Sequence, residues 1–268
     1  MTDRPLNPAN LNVDLQPEIA HSARFWDYLQ GGRNNFPADR ELGERMKREF
    51  PAVVDLALAT RAFLGRTVRH LAAEEGYRQF LDVGTGLPTA DNTHEVAQRA
   101  APDARIVYVD NDPIVLAHAR ALLTSTIEGD TDYVDSDLND PGTVITEAAR
   151  TLDLDQPVVL MLMSVLGHVT DPAKAVALVQ EYMSRLAPGS ALVMCTTLSS
   201  PEVDAMTRSY ADSGTQPYVA SSAETMLAMA DGLTIPDPGL GPINRWHPEE
   251  SGPGTDTQQW GYVAYKPA

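Results

Sequence analysis

The stretch FLDVGTGLPTADN, residues 80–92, decides how this chain is read. An apolar run ends in an acid, two glycines stand one residue apart, and a proline follows. A strand turning sharply into a helix over a small ligand has this composition. Gly84 and Gly86 let the backbone turn tightly and approach a molecule that any side chain would obstruct. A lone Gly-x-Gly also serves as an ordinary structural turn, so its neighbours must say which role it has.

On the C-terminal side, QFLDV, RIVYVD, TDYVDSD, PVVLMLM and SALVMCTT are short apolar runs separated by helix-length segments. This alternation predicts an α/β fold, a doubly wound and mostly parallel sheet with helices on both faces. The fourth run is apolar throughout, as a central strand covered on both sides should be. Beyond residue 200, PEVDAMTRSYADSG and SAETMLAMADG read as helices. PINRW and TQQWGYVAYK flank the Pro/Gly-rich HPEESGPGTD and read as a closing strand pair, antiparallel to the rest.

On the N-terminal side, residues 1–16 read as a loose arm rich in Asn and Pro. From Pro17 a helical pattern places Ile19, Ala23, Trp26 and Leu29 on one face. QGGRNNFPADR, residues 30–40, reads as a loop. A long helix follows Pro51, with Val53, Leu56, Ala57, Thr60, Phe63, Leu64, Val68 and Leu71 on one face. The chain therefore divides into an arm and helical lid over 1–75, unable to fold alone, and a sheet-bearing core over 76–268.

The 268 residues carry a formal net charge of −17. Such a field serves solubility and repels phosphate backbones, so no nucleic acid and no anionic membrane is expected as a partner. The longest apolar run, VVLMLMSVLG at 158–167, is about half of what spans a bilayer. The opening MTDRPLNPANLNVDLQPE lacks the apolar core of a secretion signal, and the single cysteine, Cys195, can form no internal disulfide. A cytoplasmic protein is expected.

The acids near the strand ends speak to the ligand. Asp110 closes RIVYVD and can accept both ribose hydroxyl protons of a nucleoside, while Asp112 is placed to cap the helix that begins at Pro113. Asp137 follows the third run and can accept from an adenine amino group; Asn139 and Asp140 are better placed to cap the helix near Pro141. Two nucleoside cofactors fit such a sheet. A dinucleotide brings a pyrophosphate, which wants bare backbone N–H groups and no carboxylate. Here Asp82 precedes the glycines, and Thr89 replaces the third glycine of a G-x-G-x-x-G. S-adenosylmethionine brings an ammonium and a sulfonium, for which Asp82, Asp110 and Asp137 form a suitable rim. S-adenosylmethionine is the favoured cofactor. An NAD(P)-dependent oxidoreductase and a non-catalytic S-adenosylmethionine-binding protein stand as alternatives.

HSARFWDYLQGGRNNFPADR, RAFLGRTVRHLAAEEGYRQFLDVGTGLPT, VYVDNDPIVLAHARALL and DPGLGPINRW together resemble an actinobacterial family of S-adenosylmethionine-dependent methyltransferases once grouped as a domain of unknown function. The resemblance runs from about residue 20 to the end. It implies a seven-stranded Rossmann-like, class I methyltransferase fold with the last strand antiparallel and S-adenosylmethionine as methyl donor. It further implies a small-molecule acceptor of secondary metabolism; indole-containing diketopiperazines are among those of similar proteins. By match to motif, Asp82, Gly84, Thr85, Gly86 and Leu87 fall on the family's glycine turn. Asp110 and Asn111 fall on its ribose-binding strand end, and Asp137 with Leu138 on its adenine-side turn. The match fails after the fourth strand, where VLGH (165–168) stands in place of a pattern resembling VLHF. A role for the family histidine therefore does not carry over to Gly167.

Methyl transfer is an in-line displacement that releases a neutral thioether. Alignment of the reacting atoms and exclusion of water supply much of the acceleration, so no catalytic triad or metal site is required. The chain has no HExxH, CxxC or Gly-x-Ser-x-Gly, and no metal is expected. A protic acceptor still calls for a base. His168, just after the central strand, is the candidate, and Tyr28 is a second catalytic candidate that could orient a polar substrate. Ser164, at the end of the fourth run, is assigned to the cofactor side. Phe25 and Phe36, with Trp26, suggest an aromatic-lined site for a flat aromatic or heterocyclic metabolite. His21, His70, His94, His118 and His247 show no metal-ligand spacing and read as surface or helix residues. A homodimer is left open.

Overall fold

The computed structural model describes residues 16–268 apart from 90, 123, 249–251 and 253. The expected N-terminal arm lies almost wholly outside these residues. Seven strands form one sheet: β1 (Gln79–Val83), β2 (Arg105–Asp110), β3 (Asp130–Asp135), β4 (Val159–Met163), β5 (Ala191–Thr197), β6 (Gly241–Pro242) and β7 (Gln259–Tyr265). Their order is β3-β2-β1-β4-β5-β7-β6. Strands β1 to β5 run parallel, and β7 pairs antiparallel with β5 from Ala191↔Tyr265 to Thr197↔Gln259. All five apolar runs are strands, in the mostly parallel, doubly wound arrangement expected. The closing pair is less regular than expected. β6 is two residues long and gives way to a 3-10 turn at Ile243–Arg245. Pro242 has no N–H to donate, and Arg66 donates to the carbonyls of Ile243 at 2.7 Å and Trp246 at 3.1 Å.

The central position of β1 matters most for function. It pairs with β2 on one side and β4 on the other, so strand order reverses beside it. The crevice above such a switch is where open α/β sheets bind ligands, and the glycine turn stands at its lip.

Nine helices surround the sheet among the described residues: α1 (Ser22–Leu29), α2 (Pro37–Glu49), α3 (Val53–Ala73), α4 (Thr93–Ala100), α5 (Pro113–Leu122), α6 (Pro141–Ala148), α7 (Pro172–Ser184), α8 (Pro201–Ala211) and α9 (Ala223–Met229). On one face, Phe63, Leu64, Val68 and Leu71 of α3 and Val96 of α4 pack on Phe80, Ile106, Met161 and Val193. On the other, α6, α7 and α9 bring Val144, Leu178, Val179 and Met226 against Leu81, Val107, Leu160 and Leu192. Helix α3 is thus a covering layer of the sheet. Helices α1 and α2 form a cap with α8, around Phe25, Leu29, Leu42, Met46, Phe50, Val203 and Tyr210.

Two local readings change in the cap. The stretch read as a loop to residue 40 becomes helical at Pro37, where Asp39 accepts from the Phe36 backbone N–H at 2.7 Å. Its sequence, PADRELGERMKRE, is too polar to announce a buried face. Ile19, expected on the buried face of the first helix, precedes that helix and is 51 % exposed. Arg24 and Asp27 are buried there instead. Arg24 pairs with Asp39 through Nε–Oδ2 at 2.9 Å, both side chains out of water, so neither buried charge stands alone.

Candidate active site

A cleft of about 190 Å³ opens beyond the carboxyl ends of β1, β2 and β4, with α1 across it and α3 along one wall. Its floor is formed by residues 82–89, around the glycine turn. Asp82 is buried, accepts from Thr93 Oγ1 at 2.6 Å, and faces the guanidinium of Arg61 on α3. Burial pushes its carboxyl up to about 6, against the opposing pull of Thr93 and Arg61. Arg61 lies in the field of Asp82, Asp91 and Glu95, with burial lowering its pKa. Among the described residues it makes no hydrogen bond or ion pair.

The two glycines have different reasons to be there. Both have positive φ, 75° at Gly84 and 63° at Gly86. A Cβ on Gly84 would strike Val165 at 2.2 Å, so packing demands that glycine. A Cβ on Gly86 would meet nothing within 4 Å, so at Gly86 the demand comes from backbone conformation and from open space kept at the cleft. Thr85 Oγ1 lies 3.1 Å from Tyr133 Oη, and Leu87 is buried against Ile114 and Val115.

Asp110 cross-ties the rim, accepting from the Gly86 N–H at 2.9 Å and the Asp112 N–H at 3.0 Å. Each carboxylate oxygen keeps a second acceptor direction, so the carboxylate retains capacity for a ligand's hydroxyls. Asp112 caps α5 through Ile114 N at 2.8 Å and meets His21 Nδ1 at 3.0 Å. Asn111 Nδ2 approaches Asp137 Oδ2 at 3.5 Å, and Asp137 accepts from Asn139; all three, with Leu138, line the cleft. Asp140 caps α6, which leaves Asp137 to the rim.

Ser164 ends β4 in the left-handed region, φ 66°, a conformation a non-glycine residue adopts at a cost. It lines the cleft, although its hydroxyl is engaged by Gln259 Nε2. His168 also lines the cleft, in the 3-10 turn Val165–His168. Its Nδ1 lies 2.9 Å from the Pro217 carbonyl and its Nε2 3.1 Å from Ser22 Oγ. Burial lowers its pKa.

The remaining candidates lie elsewhere. Tyr28 turns away from the cleft: its ring packs on Gly43 and its hydroxyl donates to Glu44 beside Lys47. Phe36 sits under the Arg24 guanidinium, 5.0 Å from ring centroid to Cζ. Phe25 is buried in the cap core and borders a smaller cavity of about 30 Å³ with Tyr210 and Tyr218. Trp26 is the wall common to that cavity and the main cleft. Among the cleft residues that sequence reasoning missed are Ser22, His21 and Arg61. The readable signal for Arg61 was a cation beside Thr60, where the apolar face of α3 turns polar. No local signal marks Ser22. Among the described residues, no group of three His, Cys, Asp or Glu side chains could hold a metal ion, and no helix is long and apolar enough to cross a membrane.

Strand order, the antiparallel β7 and an acid-rimmed glycine turn at the switch define a class I methyltransferase fold. The chain belongs to the S-adenosyl methyltransferase family, which it matches over residues 8–267. It is 40 % identical to a DUF574 family protein from Streptomyces avermitilis MA-4680, covering 95 % of this chain and 100 % of that one, with a TM-score of 0.90. A protein from Thermobifida fusca YX described as a "putative methyltransferase" is 33 % identical over 97 % of this chain and 98 % of its own, with a TM-score of 0.87. A SAM-dependent methyltransferase from Archaeoglobus fulgidus shares the fold at 15 % identity, over 77 % of this chain and 94 % of that one, with a TM-score of 0.50. No curated protein matches the chain. Family and fold support methyl transfer from S-adenosylmethionine to a small molecule.

Proposed function

We propose that this protein methylates a small, flat aromatic or heterocyclic metabolite held beneath α1, between His168 and Trp26. One observation carries the donor assignment. A buried carboxylate, Asp82, and an unengaged guanidinium, Arg61, face each other at one end of the cleft. That pair complements an amino-acid zwitterion, with Asp82 taking the ammonium and Arg61 the carboxylate. S-adenosylmethionine supplies an electrophilic methyl on a cationic sulfur. Asp110 would take the ribose hydroxyls, and Asn111, Asp137 and Leu138 the adenine side. A diphosphate has no comparable welcome beside Asp82 and Asp110.

His168 is the base. Burial disfavours its imidazolium, against the opposing pull of the Pro217 carbonyl. Trp26 offers an aromatic wall to a planar acceptor. The resemblance to enzymes of secondary metabolism makes an indole-containing diketopiperazine a reasonable first acceptor to try.

The test is ligand-dependent melting, followed by transfer of labelled methyl from the donor to a panel of aromatic and heterocyclic metabolites. S-adenosylhomocysteine should raise Tm, and NADH and NADPH should not. Stabilisation by a nicotinamide nucleotide alone would overturn the assignment. Donor binding with no labelled product from any acceptor would leave a binding protein, not an enzyme.

A further inference from the structure

The acceptor end of the cleft contains a fixture built from three distant segments. His168 and Gly167 are held at three points by residues 217–219. Nδ1 meets the Pro217 carbonyl at 2.9 Å, the Tyr218 ring stands edge-on at 5.4 Å and 85°, and Val219 N–H donates to the Gly167 carbonyl at 2.8 Å. Gly167 makes this possible. A Cβ there would lie 2.2 Å from Tyr218 Cε2, so the missing side chain is the space the ring occupies.

This geometry determines where the proton sits. A carbonyl oxygen can only accept, so Nδ1 carries the hydrogen and Nε2 presents its lone pair. The atom facing that lone pair is Ser22 Oγ, 3.1 Å away, at the first turn of the helix that crosses the cleft. Ser22 and His168 both line the cleft. The other titratable groups around the pair are His21, which precedes α1, Tyr218 from the loop, and Tyr210 from α8, whose phenol lies against Ser22. Burial raises the pKa of both tyrosines, so neither competes as a base.

Resting on the methyl-transfer reading, we propose that Ser22 and His168 form a proton relay, and that the acceptor is a protic heteroatom on a flat ring, a phenolic O–H or a ring N–H. As the acceptor's lone pair bonds to the methyl carbon, the carbon–sulfur bond breaks and its electrons return to sulfur. The acceptor's proton passes to Ser22 Oγ while the Ser22 proton passes to His168 Nε2. One positive charge leaves the sulfonium and one appears on the imidazolium, whose Nδ1–H is held by the Pro217 carbonyl. The proton then returns to solvent through the cleft that His168 lines. A carboxylate or tertiary amine acceptor brings no proton and would gain nothing from the relay.

Two measurements on the full-length protein decide this. In the first, ¹⁵N-histidine-labelled protein is studied by NMR with S-adenosylhomocysteine bound. The relay requires a protonated Nδ1 and an acceptor-type Nε2 at His168, and the Nε2 resonance should move when Ser22 becomes Ala but not when it becomes Thr. A proton on Nε2, or a resonance indifferent to Ser22→Ala, overturns the relay whether or not an acceptor has been found. The second uses the first acceptor to take labelled methyl. Ser22→Ala should lower kcat on the order of 10²-fold, with KM and S-adenosylhomocysteine affinity unchanged, and Ser22→Thr should restore it. The solvent isotope effect should fit two protons in flight for wild type and fewer for Ser22→Ala. Wild-type turnover by Ser22→Ala would refute the relay. Failure of S-adenosylhomocysteine to bind at all would refute the methyl-transfer reading instead, which separates the two.

Discussion

The two ends of the cleft are built in opposite ways. The end that contains Asp82, Gly86 and Asp110 consists of residues at or just past the ends of adjacent parallel strands, tied to one another by backbone hydrogen bonds such as Gly86 N–H to Asp110. The end that contains His168 joins the start of α1, the turn after β4 and the loop before Val219, segments separated by 146 and 49 residues. The first end is pre-formed by the sheet. The second exists only when the cap is seated. Disturbing either end should therefore leave a different signature.

The largest effect is expected at Asp82, where burial and the proposed ammonium contact oppose each other. Its carboxyl, ordinarily near 3.8, is raised to about 6 in the fold. Ionisation is therefore disfavoured in the native state: the penalty is absent below the unfolded pKa, grows between that value and about 6, and is complete above it. The shift corresponds to about 3 kcal/mol. Asp82→Asn should stabilise the free protein in urea at pH 8 by up to that amount, and hardly at pH 4, while weakening S-adenosylhomocysteine binding. In the wild type, affinity for S-adenosylhomocysteine should fall as pH drops below about 6, where Asp82 loses its charge. Equal urea midpoints for the two proteins at pH 8 would remove the conflict between stability and binding.

Asp110→Ala follows in size. It deletes the carboxylate assigned to the ribose and also the tie to the Gly86 and Asp112 N–H groups. A loss of about 2–3 kcal/mol in S-adenosylhomocysteine affinity by calorimetry is expected, the worth of hydrogen bonds to a charged acceptor. Unchanged affinity would mean that the carboxylate serves the turn alone.

Gly167→Ala probes the other end. The new Cβ would collide with the Tyr218 ring at 2.2 Å, and overpacking of this kind costs about 1–3 kcal/mol. Tm and turnover should both fall, with affinity for S-adenosylhomocysteine retained, because no strand-end residue moves. If donor affinity fell in parallel, the two ends would not be separable.

The same contrast explains what the sequence could tell. The strands and the clustering of Asp82, Gly84, Gly86 and Asp110 at one cleft edge were legible because each signal is local: an apolar run, a glycine pair two residues beyond Asp82, an acid at the close of the next run. Helix starts were legible where proline follows a capping residue, as at Asp112-Pro113 and Asp140-Pro141. Helix α2 escaped because its burial rests on Leu42 and Met46 and on an internal Arg24–Asp39 pair, not on an apolar stripe. The Ser22–His168 contact escaped for the reason that governs all tertiary pairs. Nothing in SAR or VLGH carries information about a partner 146 residues away.

Tyr28 gives the smallest prediction and the cleanest check on the boundary of the acceptor end. It stands two residues after Trp26 on a helix that turns about 100° per residue, so the two side chains point about 200° apart. Trp26 faces the cleft; Tyr28 therefore faces α2, where its hydroxyl meets Glu44 in solvent. Exposed contacts of this kind contribute little. Tyr28→Phe should leave S-adenosylhomocysteine affinity, Tm and turnover within about twofold or the equivalent shift, whereas Trp26→Ala should impair turnover on a planar acceptor. A large kinetic loss in Tyr28→Phe would require α1 to rotate on binding, and with it the register that brings Ser22 to His168.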